Sequence, residues 1–318
     1  MATEDEEHTV ATADERRDQL VQRLFQGLLG TMDLLTVYLG DRLGLYQALA
    51  DAGSCTVAEL AARTQTQERY IREWLEQQAT ADLLAVDNVA AAPGERRYSL
   101  PPGHAEVLLD TNSLNYIGAA GRFAACLGSS VSRVLDVFRH GGGVDWPEYG
   151  ADAREGQADF NKPMYRNLLA AEWLPAITDV HARLLGDPPA RVADVGCGAG
   201  WSSIGIAQGY PSVTVDGFDL DGPSIEMALA NAAETGVADR VRFQVHDVAD
   251  PALAGRYDLV TAFECVHDLP QPVEFLRSMR RLAADDGAVI VMDERVAETF
   301  TAPGDPVERL FFGFSVLC

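Results

Sequence analysis

Residues 1 to 15 are polar and acidic and carry no hydrophobic period, so too little apolar surface is present to offset the entropy of ordering, and a disordered tail is expected. From Leu20 the pattern changes. Leu20, Leu24 and Leu28, with Val21, Phe25, Leu29 and Met32, recur at helical spacing as one broad apolar stripe, and such a stripe requires a partner surface. A second helical run passes through Leu43-Gly44-Leu45-Tyr46, and Thr56 followed three positions later by Glu59 predicts a capped short helix. After a turn at 63–66, Tyr70, Ile71, Trp74 and Leu75 mark one side of a further helix. Leu83-Leu-Ala-Val, a Pro93-Gly94 turn and Arg97-Tyr-Ser-Leu then read as strand, turn, strand. Helix, turn, helix, hairpin predicts a winged helix over residues 16–105.

Residues 106–188 read as a helical connector. It holds a Gly-rich turn running into Trp146 and Tyr149, then Phe160-Asn161-Lys-Pro-Met164 and Tyr165. These side chains either fill the connector's own core or line an apolar substrate pocket, and the pattern alone does not separate the two. From Arg191 short β-rich runs near 191–195, 212–219, 241–246, 257–262 and 287–293 alternate with helical stretches. That rhythm predicts a parallel sheet flanked by helices over 189–318, an α/β Rossmann-like domain behind a mainly helical N-terminal one.

Charge narrows the function classes. Lys plus Arg number 25 against 48 Asp plus Glu, a formal net charge of −23, and such a field repels nucleic acid and anionic membrane surfaces. On the predicted second helix of the winged domain, Glu68, Glu73 and Glu76 outnumber Arg69 and Arg72, so the face that would enter a major groove is not basic. A homodimer built on the apolar helices is the better expectation. The five cysteines are widely spread with no C-x-x-C pair, which argues against a disulfide framework or a bound metal. The N-terminus lacks the basic-then-apolar order of a signal peptide, and no stretch is apolar for membrane-spanning length. A cytoplasmic protein is expected.

Chemistry concentrates at the predicted strand ends. Asp194-Val-Gly196-Cys-Gly198-Ala-Gly200 runs from a strand through glycines into a helix. A dinucleotide phosphate turn, G-x-G-x-x-G, would need glycine where Trp201 stands, so NAD is disfavoured. A carboxylate at Asp194 would repel pyrophosphate and suits the ammonium of an amino-acid ligand, directly or through water. The second strand ends on Asp219, 25 positions after Asp194, where a carboxylate accepts hydrogen bonds from ribose hydroxyls. Asp221 is the second choice, and Leu220 offers an apolar face to adenine. The third strand closes on Asp247-Val248, with Asp247 placed for an adenine amino group, and Phe263 ends the fourth. Acids at successive strand ends of an open α/β sheet converge on one crevice.

The ordered set D-x-G-x-G-x-G, F-D and H-D-V resembles the class I S-adenosylmethionine-dependent methyltransferases. Winged helix, connector and catalytic domain in this order are similar to the dimeric small-molecule O-methyltransferases, across nearly the whole chain. Leu43-Gly-Leu-Tyr46 and Ala58-Glu-Leu-Ala-Ala62 look like that family's dimerisation domain, and the Phe160 to Met164 segment is similar to its part near cofactor and substrate. The resemblance implies S-adenosylmethionine as cofactor, no metal, and His267, in Val266-His-Asp-Leu269, as general base. Asp268 and Glu294 are candidate orienters of the imidazole, with Asp293 left open by a one-residue register uncertainty. The chain also departs from the family: only Pro306 to Cys318 follows the fifth strand as a further segment, where the family's sheet ends in two more strands. Either the chain is cut short, or the sheet ends early and leaves Leu310, Phe311, Phe312 and Phe314 uncovered.

The expected activity is methyl transfer to a small, fairly apolar acceptor, most simply at oxygen, where His267 removes the hydroxyl proton. The alternative is a winged-helix regulator that senses S-adenosylmethionine without catalysis.

Overall fold

The computed structural model describes residues 12–253 and 255–317. Two units divide the chain, residues 1–101 and 102–318.

In the first unit, α1 (Ala13–Arg42) starts where Thr12 accepts from the Glu15 amide and Glu15 answers the Thr12 amide, a capping box. Residues 13–15, expected in the loose tail, are therefore the helix's first turn, while residues 1–11 of that tail lie outside the described residues. Helices α2 (Leu45–Ala52), α3 (Val57–Thr64) and α4 (Glu68–Thr80) follow, then β1 (Ala85–Val86) and β2 (Tyr98–Ser99). The two strands pair antiparallel and Cys55 adds a bridge to Tyr98, completing the wing. Thr56 and Glu59 form the predicted capping box on α3. Leu49, Leu60, Ile71 and Leu75 are at most 2% exposed and form the core. Gly40 lets α1 descend onto it, since a Cβ there would sit 2.5 Å from the Tyr46 ring. The Leu20 to Met32 stripe stays outside, with Leu24 65% exposed.

The second unit begins with α5 (Pro102–Leu109), α6 (Ala120–His140) and a 3-10 turn at Trp146–Tyr149. Next, α7 (Gly150–Met164) runs into a π-helical stretch, Tyr165–Trp173, before α8 (Leu174–Ala176) and α9 (Thr178–Leu184). Pro163 lacks an amide to donate inside α7, and wide i→i+5 turns often mark functional positions. The α/β part then alternates β3 (Arg191–Val195), α10 (Trp201–Gly209), β4 (Thr214–Asp219), α11 (Gly222–Glu234), β5 (Val241–Val245), β6 (Tyr257–Phe263), α12 (Pro272–Leu282) and β7 (Ala283–Met292). A last helix, α13 (Pro306–Leu317), follows residues 293–305, which have no regular structure.

All five strands are parallel in the order β5-β4-β3-β6-β7, so their C-terminal ends face one way. The central strands are buried on both sides, as β6 with Leu259, Val260 and Ala262 shows. Helix α10 reaches the π-helical stretch through two glycines: a Cβ on Gly205 would lie 2.6 Å from the Tyr165 carbonyl, and one on Gly209 2.2 Å from Ala170 Cβ. Among the described residues β7 is an edge strand, with Val289 and Val291 partly open to solvent. Of the four residues expected uncovered beyond it, Leu310 and Phe312 are exposed while Phe311 and Phe314 are half-buried. Phe314 packs edge-on against Phe123 of α6, at 6.1 Å between ring centres.

Candidate active site

The glycine turn after β3 sorts its three glycines by role. All three hold positive φ, +69° at Gly196, +51° at Gly198 and +81° at Gly200. A Cβ on Gly200 would meet Phe243 Cζ at 2.4 Å, and one on Gly196 would meet Cys265 Sγ at 2.8 Å. At those two positions packing requires glycine. Gly198 alone has nothing within 4 Å of a would-be Cβ, so its backbone faces open space.

Asp194 differs from expectation as well. It is 1% exposed; one carboxylate oxygen accepts from Ser202 and Ser203, both at 2.6 Å, and the other from Thr261 at 2.8 Å. Burial raises its pKa against the pull of those hydroxyls. In this geometry Asp194 ties the glycine turn to α10 and β6 and presents no free oxygen to a crevice, so direct anchoring of an ammonium is not its place.

At the end of β4, Asp219 accepts from the Gly198 amide at 2.8 Å and from the Asp221 amide at 2.9 Å. It thus braces the open glycine and keeps further lone pairs. Burial raises its pKa, and the two amides oppose that shift. Beside it Leu220 is 72% exposed, an apolar side chain held at the rim. Asp221 is committed elsewhere: it caps α11 through Ser224 and pairs with Arg154 of α7 at 2.7 Å. Asp247, exposed, caps its own turn through the Ala249 amide. Val248 and Phe263 are 8% and 6% exposed and their side chains belong to the core, so at these two positions only backbone is left for a ligand.

On the other side of the turn, the loop after β6 meets the end of β7. His267 hydrogen-bonds Asp293 Oδ1 through Nδ1, and its backbone amide donates to Asp293 Oδ2 at 3.1 Å. Asp293, the register alternative, and not Glu294, is thus the carboxylate hydrogen-bonded to the His267 ring. Asp268 lies 3.5 Å from His267 Nε2. Partial burial lowers the imidazole pKa, but the Asp293 hydrogen bond and the charges of Asp268, Asp293 and Glu294 outweigh it and the net shift is upward. Glu294 stands instead by Glu264, whose carboxyl burial and the neighbouring Glu294 and Asp293 push up to about 8, against the pull of His267. Glu264 was missed in the sequence, although it follows the fourth strand as Asp219 ends the second. It stands at φ +54°, a left-handed backbone rare for glutamate.

The connector residues separate into groups. Tyr149 is buried with Cys126 and Ala153 and donates to the Leu317 carbonyl at 3.0 Å; Trp146 packs beside it. Phe160 stacks edge-on against Phe123. Met164 packs on the sheet-side core. Tyr165 packs its ring 5.8 Å from Phe263, and burial, then the charges of Glu264, Asp194, Cys265 and Asp293, push its phenol well up. Asn161 is 8% exposed. One shared pocket for all six is not what the structure brings together. Among the described residues no cluster of His, Cys, Asp or Glu could hold a metal ion, and no helix is long and apolar enough to cross a membrane.

Residues 187–308 match the Methyltransferase domain family and residues 31–110 the Rv2258c-like winged HTH domain. Ajmaline N-methyltransferase of Rauvolfia serpentina is 31% identical over 105 residues, 33% of this chain and 36% of that one. Ubiquinone biosynthesis O-methyltransferase of Pseudomonas aeruginosa is 31% identical over 131 residues, 41% of this chain and 53% of that one. The chain thus spans about a third to a half of the length of these curated relatives. Among solved structures, human N-acetylserotonin methyltransferase in complex with SAM superposes with a TM-score of 0.68 at 17% identity, covering 97% of this chain and 88% of that one. The mitomycin 7-O-methyltransferase MmcR gives 0.67 at 17% identity, over 95% and 86%. Residues 187–308 therefore carry a methyltransferase domain and residues 31–110 a winged helix-turn-helix domain, and the chain shares its Rossmann-like fold with these solved methyltransferases.

Proposed function

We propose that the protein transfers the methyl group of S-adenosylmethionine to oxygen on a small, fairly apolar acceptor, with His267 as general base and Asp293 as its orienter. The observation that carries this reading is the pairing of His267 Nδ1 with Asp293. A carboxylate accepts only, so the proton sits on Nδ1 and the Nε2 lone pair is left for an acceptor hydroxyl. With its side chain 40% exposed, the imidazole is open to an incoming molecule.

The residues present fit the cofactor. Gly198 leaves backbone beside open space, Asp219 holds a carboxylate next to it, and Leu220 offers an uncovered apolar face. When bound, the cofactor supplies an electrophilic methyl on a sulfonium sulfur. The chain's own residues then have three tasks: to hold the ribose hydroxyls at Asp219, to keep the acceptor beside His267, and to take its proton at Nε2 as the oxygen attacks. Proton removal at His267 makes oxygen the fitting acceptor atom.

The exposed stripe of α1 supports a homodimer as the working form. A 30-residue helix with Leu20, Leu24, Phe25 and Leu28 all more than half exposed is matched best by an identical stripe from a second copy. Substituting His267→Ala tests the catalytic reading: turnover is expected to vanish while S-adenosylhomocysteine binding by calorimetry is kept. Loss of both together would remove the assigned role, and retained turnover would remove it as well.

A further inference from the structure

We infer that Arg154, on the connector helix α7, is a positioning residue for the cofactor: its ion pair with Asp221 holds the loop after β4 where the Asp219 carboxylate can serve the ribose. This rests on the proposed use of S-adenosylmethionine.

What holds that loop is the first argument. Only Leu220 and Asp221 stand between β4 and α11, and packing does little for them, since Leu220 is 72% exposed. Polar ties take over. The Asp221 amide donates to Asp219 Oδ1 at 2.9 Å and the Gly198 amide to Oδ2 at 2.8 Å, so the direction in which Asp219 presents its remaining lone pairs follows the Asp221 backbone. Asp221 Oδ2 in turn accepts from the Ser224 amide at 3.0 Å, the Ser224 hydroxyl at 2.7 Å and Arg154 Nε at 2.7 Å. Ser224 lies in α11, the helix that Asp221 caps, and moves with it. Arg154 is the tie to another part of the fold.

The second argument is that α7 is itself fixed. Arg154, Ala158, Asn161 and Tyr165 fall on one helical face, and Ala158 and Tyr165 are buried in the sheet-side core. Elsewhere on its circumference α7 is clamped to α6 by the Arg122–Asp159 ion pair at 2.7 Å and by Ala153, buried with Cys126. The face starts at Asp221, two residues past β4, and ends with Tyr165 5.8 Å from Phe263, the last residue of β6. Strand β3 lies between those two, so α7 crosses the end of β3, where Gly198 faces open space. Arg154 thus ties the Asp219 loop to a wall of the crevice.

Burial makes the pair matter. The two side chains are 14% and 6% exposed, and removing the guanidinium leaves a buried carboxylate without its cation. Asp221 then gains by turning toward water, which draws its amide away from Asp219. A ligand that needs the undisturbed loop loses affinity by the fraction of time the loop spends elsewhere.

Calorimetric titration of the full chain with S-adenosylhomocysteine, beside thermal denaturation, tests this. Arg154→Met is expected to weaken binding roughly tenfold, and Arg154→Lys, which keeps a cation on a long stem, to recover part of that loss. In an Asp219→Ala background Arg154→Met should change affinity by less than about twofold, because the carboxylate it positions is gone. The same cycle is closed on the ligand side by adenosine and 2′,3′-dideoxyadenosine, followed by ligand NMR, with the loss in Arg154→Met expected for adenosine alone. A tie that only stabilises the fold predicts a lower Tm with affinity kept in the folded chain, and that result overturns the inference. So does equal weakening in both backgrounds, or of both nucleosides. If S-adenosylhomocysteine does not bind the folded wild-type chain, the cofactor reading falls and this inference with it; if it binds wild type and Arg154→Met alike, only this inference falls.

Discussion

Two alanine substitutions in one turn are expected to fail in different ways. At Gly200, with φ +81°, a methyl would lie 2.4 Å from Phe243 Cζ, 2.8 Å from its Cε1 and 2.9 Å from Ala228 Cβ. The left-handed backbone costs a non-glycine residue about 1–2 kcal/mol, and forcing a methyl into a filled core adds about 1–3 kcal/mol. Gly200→Ala should therefore lose about 2–5 kcal/mol. Gly198→Ala meets the same backbone cost at φ +51° with nothing within 4 Å, so about 1–2 kcal/mol is expected. For a unit of this size each kcal/mol lowers Tm by roughly 2–4 °C, giving a fall of roughly 10 °C at Gly200 against roughly 4 °C at Gly198. Binding should rank the other way: a methyl on Gly198 projects into the ligand's space, so S-adenosylhomocysteine should weaken at least about tenfold. Thermal denaturation followed by circular dichroism, with calorimetry on the folded fraction, reads both. Equal melting of the two variants, or wild-type affinity in Gly198→Ala, would refute the division between packing glycine and ligand glycine.

Asp293→Asn should cost about 10²–10⁴-fold in turnover, since the amide no longer fixes the tautomer of His267. Because the folded His267 pKa lies above 6.5, the acid limb of kcat/KM should lie above that value in the wild type and move down in the variant. The pair's contribution to stability is full below 6.5 and fades as pH rises through the raised value; a variant whose loss of stability does not shrink with rising pH would contradict it. Asp194→Ala should destabilise by about 2–4 kcal/mol by stranding three hydroxyls. Asp194→Asn, which can still accept from the serines and donate to Thr261, should melt near the wild type and bind S-adenosylhomocysteine normally; lost binding at unchanged Tm would return the ligand role to Asp194. Leu24→Glu with Leu28→Glu should convert a dimer to a monomer in light scattering, and an unchanged mass would place the interface elsewhere.

Strand positions and the winged-helix order were legible because they depend on local period: Thr56 with Glu59 caps α3, and all five predicted strands of the sheet are present. Side-chain direction was not legible. Asp194 and Asp219 look alike in sequence, yet one is spent on hydroxyls brought by α10 and β6, and the other braces a backbone amide. Phe243 explains two glycines at once, being the neighbour that a Cβ on either Gly200 or Gly217 would strike. No spacing rule announces that contact. The choice between Asp293 and Glu294 hung on one residue of register, because adjacent positions at a strand end point to opposite faces. Glu264 carried a signal that went unused: an acid directly after a core strand of a parallel sheet stands at the rim where ligands bind.

The rim of this sheet gathers more carboxyls than a partly buried surface can hold as bare anions, and the structure relieves them by different means. Asp219 is met by two backbone amides, which cannot titrate and cannot leave. Asp293 is met by an imidazole. Glu264 is met by neither, and burial with the neighbouring carboxyls pushes it up to about 8. Fixed dipoles make a site whose affinity is indifferent to pH near neutrality, whereas a carboxyl with a raised pKa must lose its proton before it can pair with a cation. On the proposed reading, the ribose end of the ligand is held by the first device. Recognition of the ribose is then constant across neutral pH.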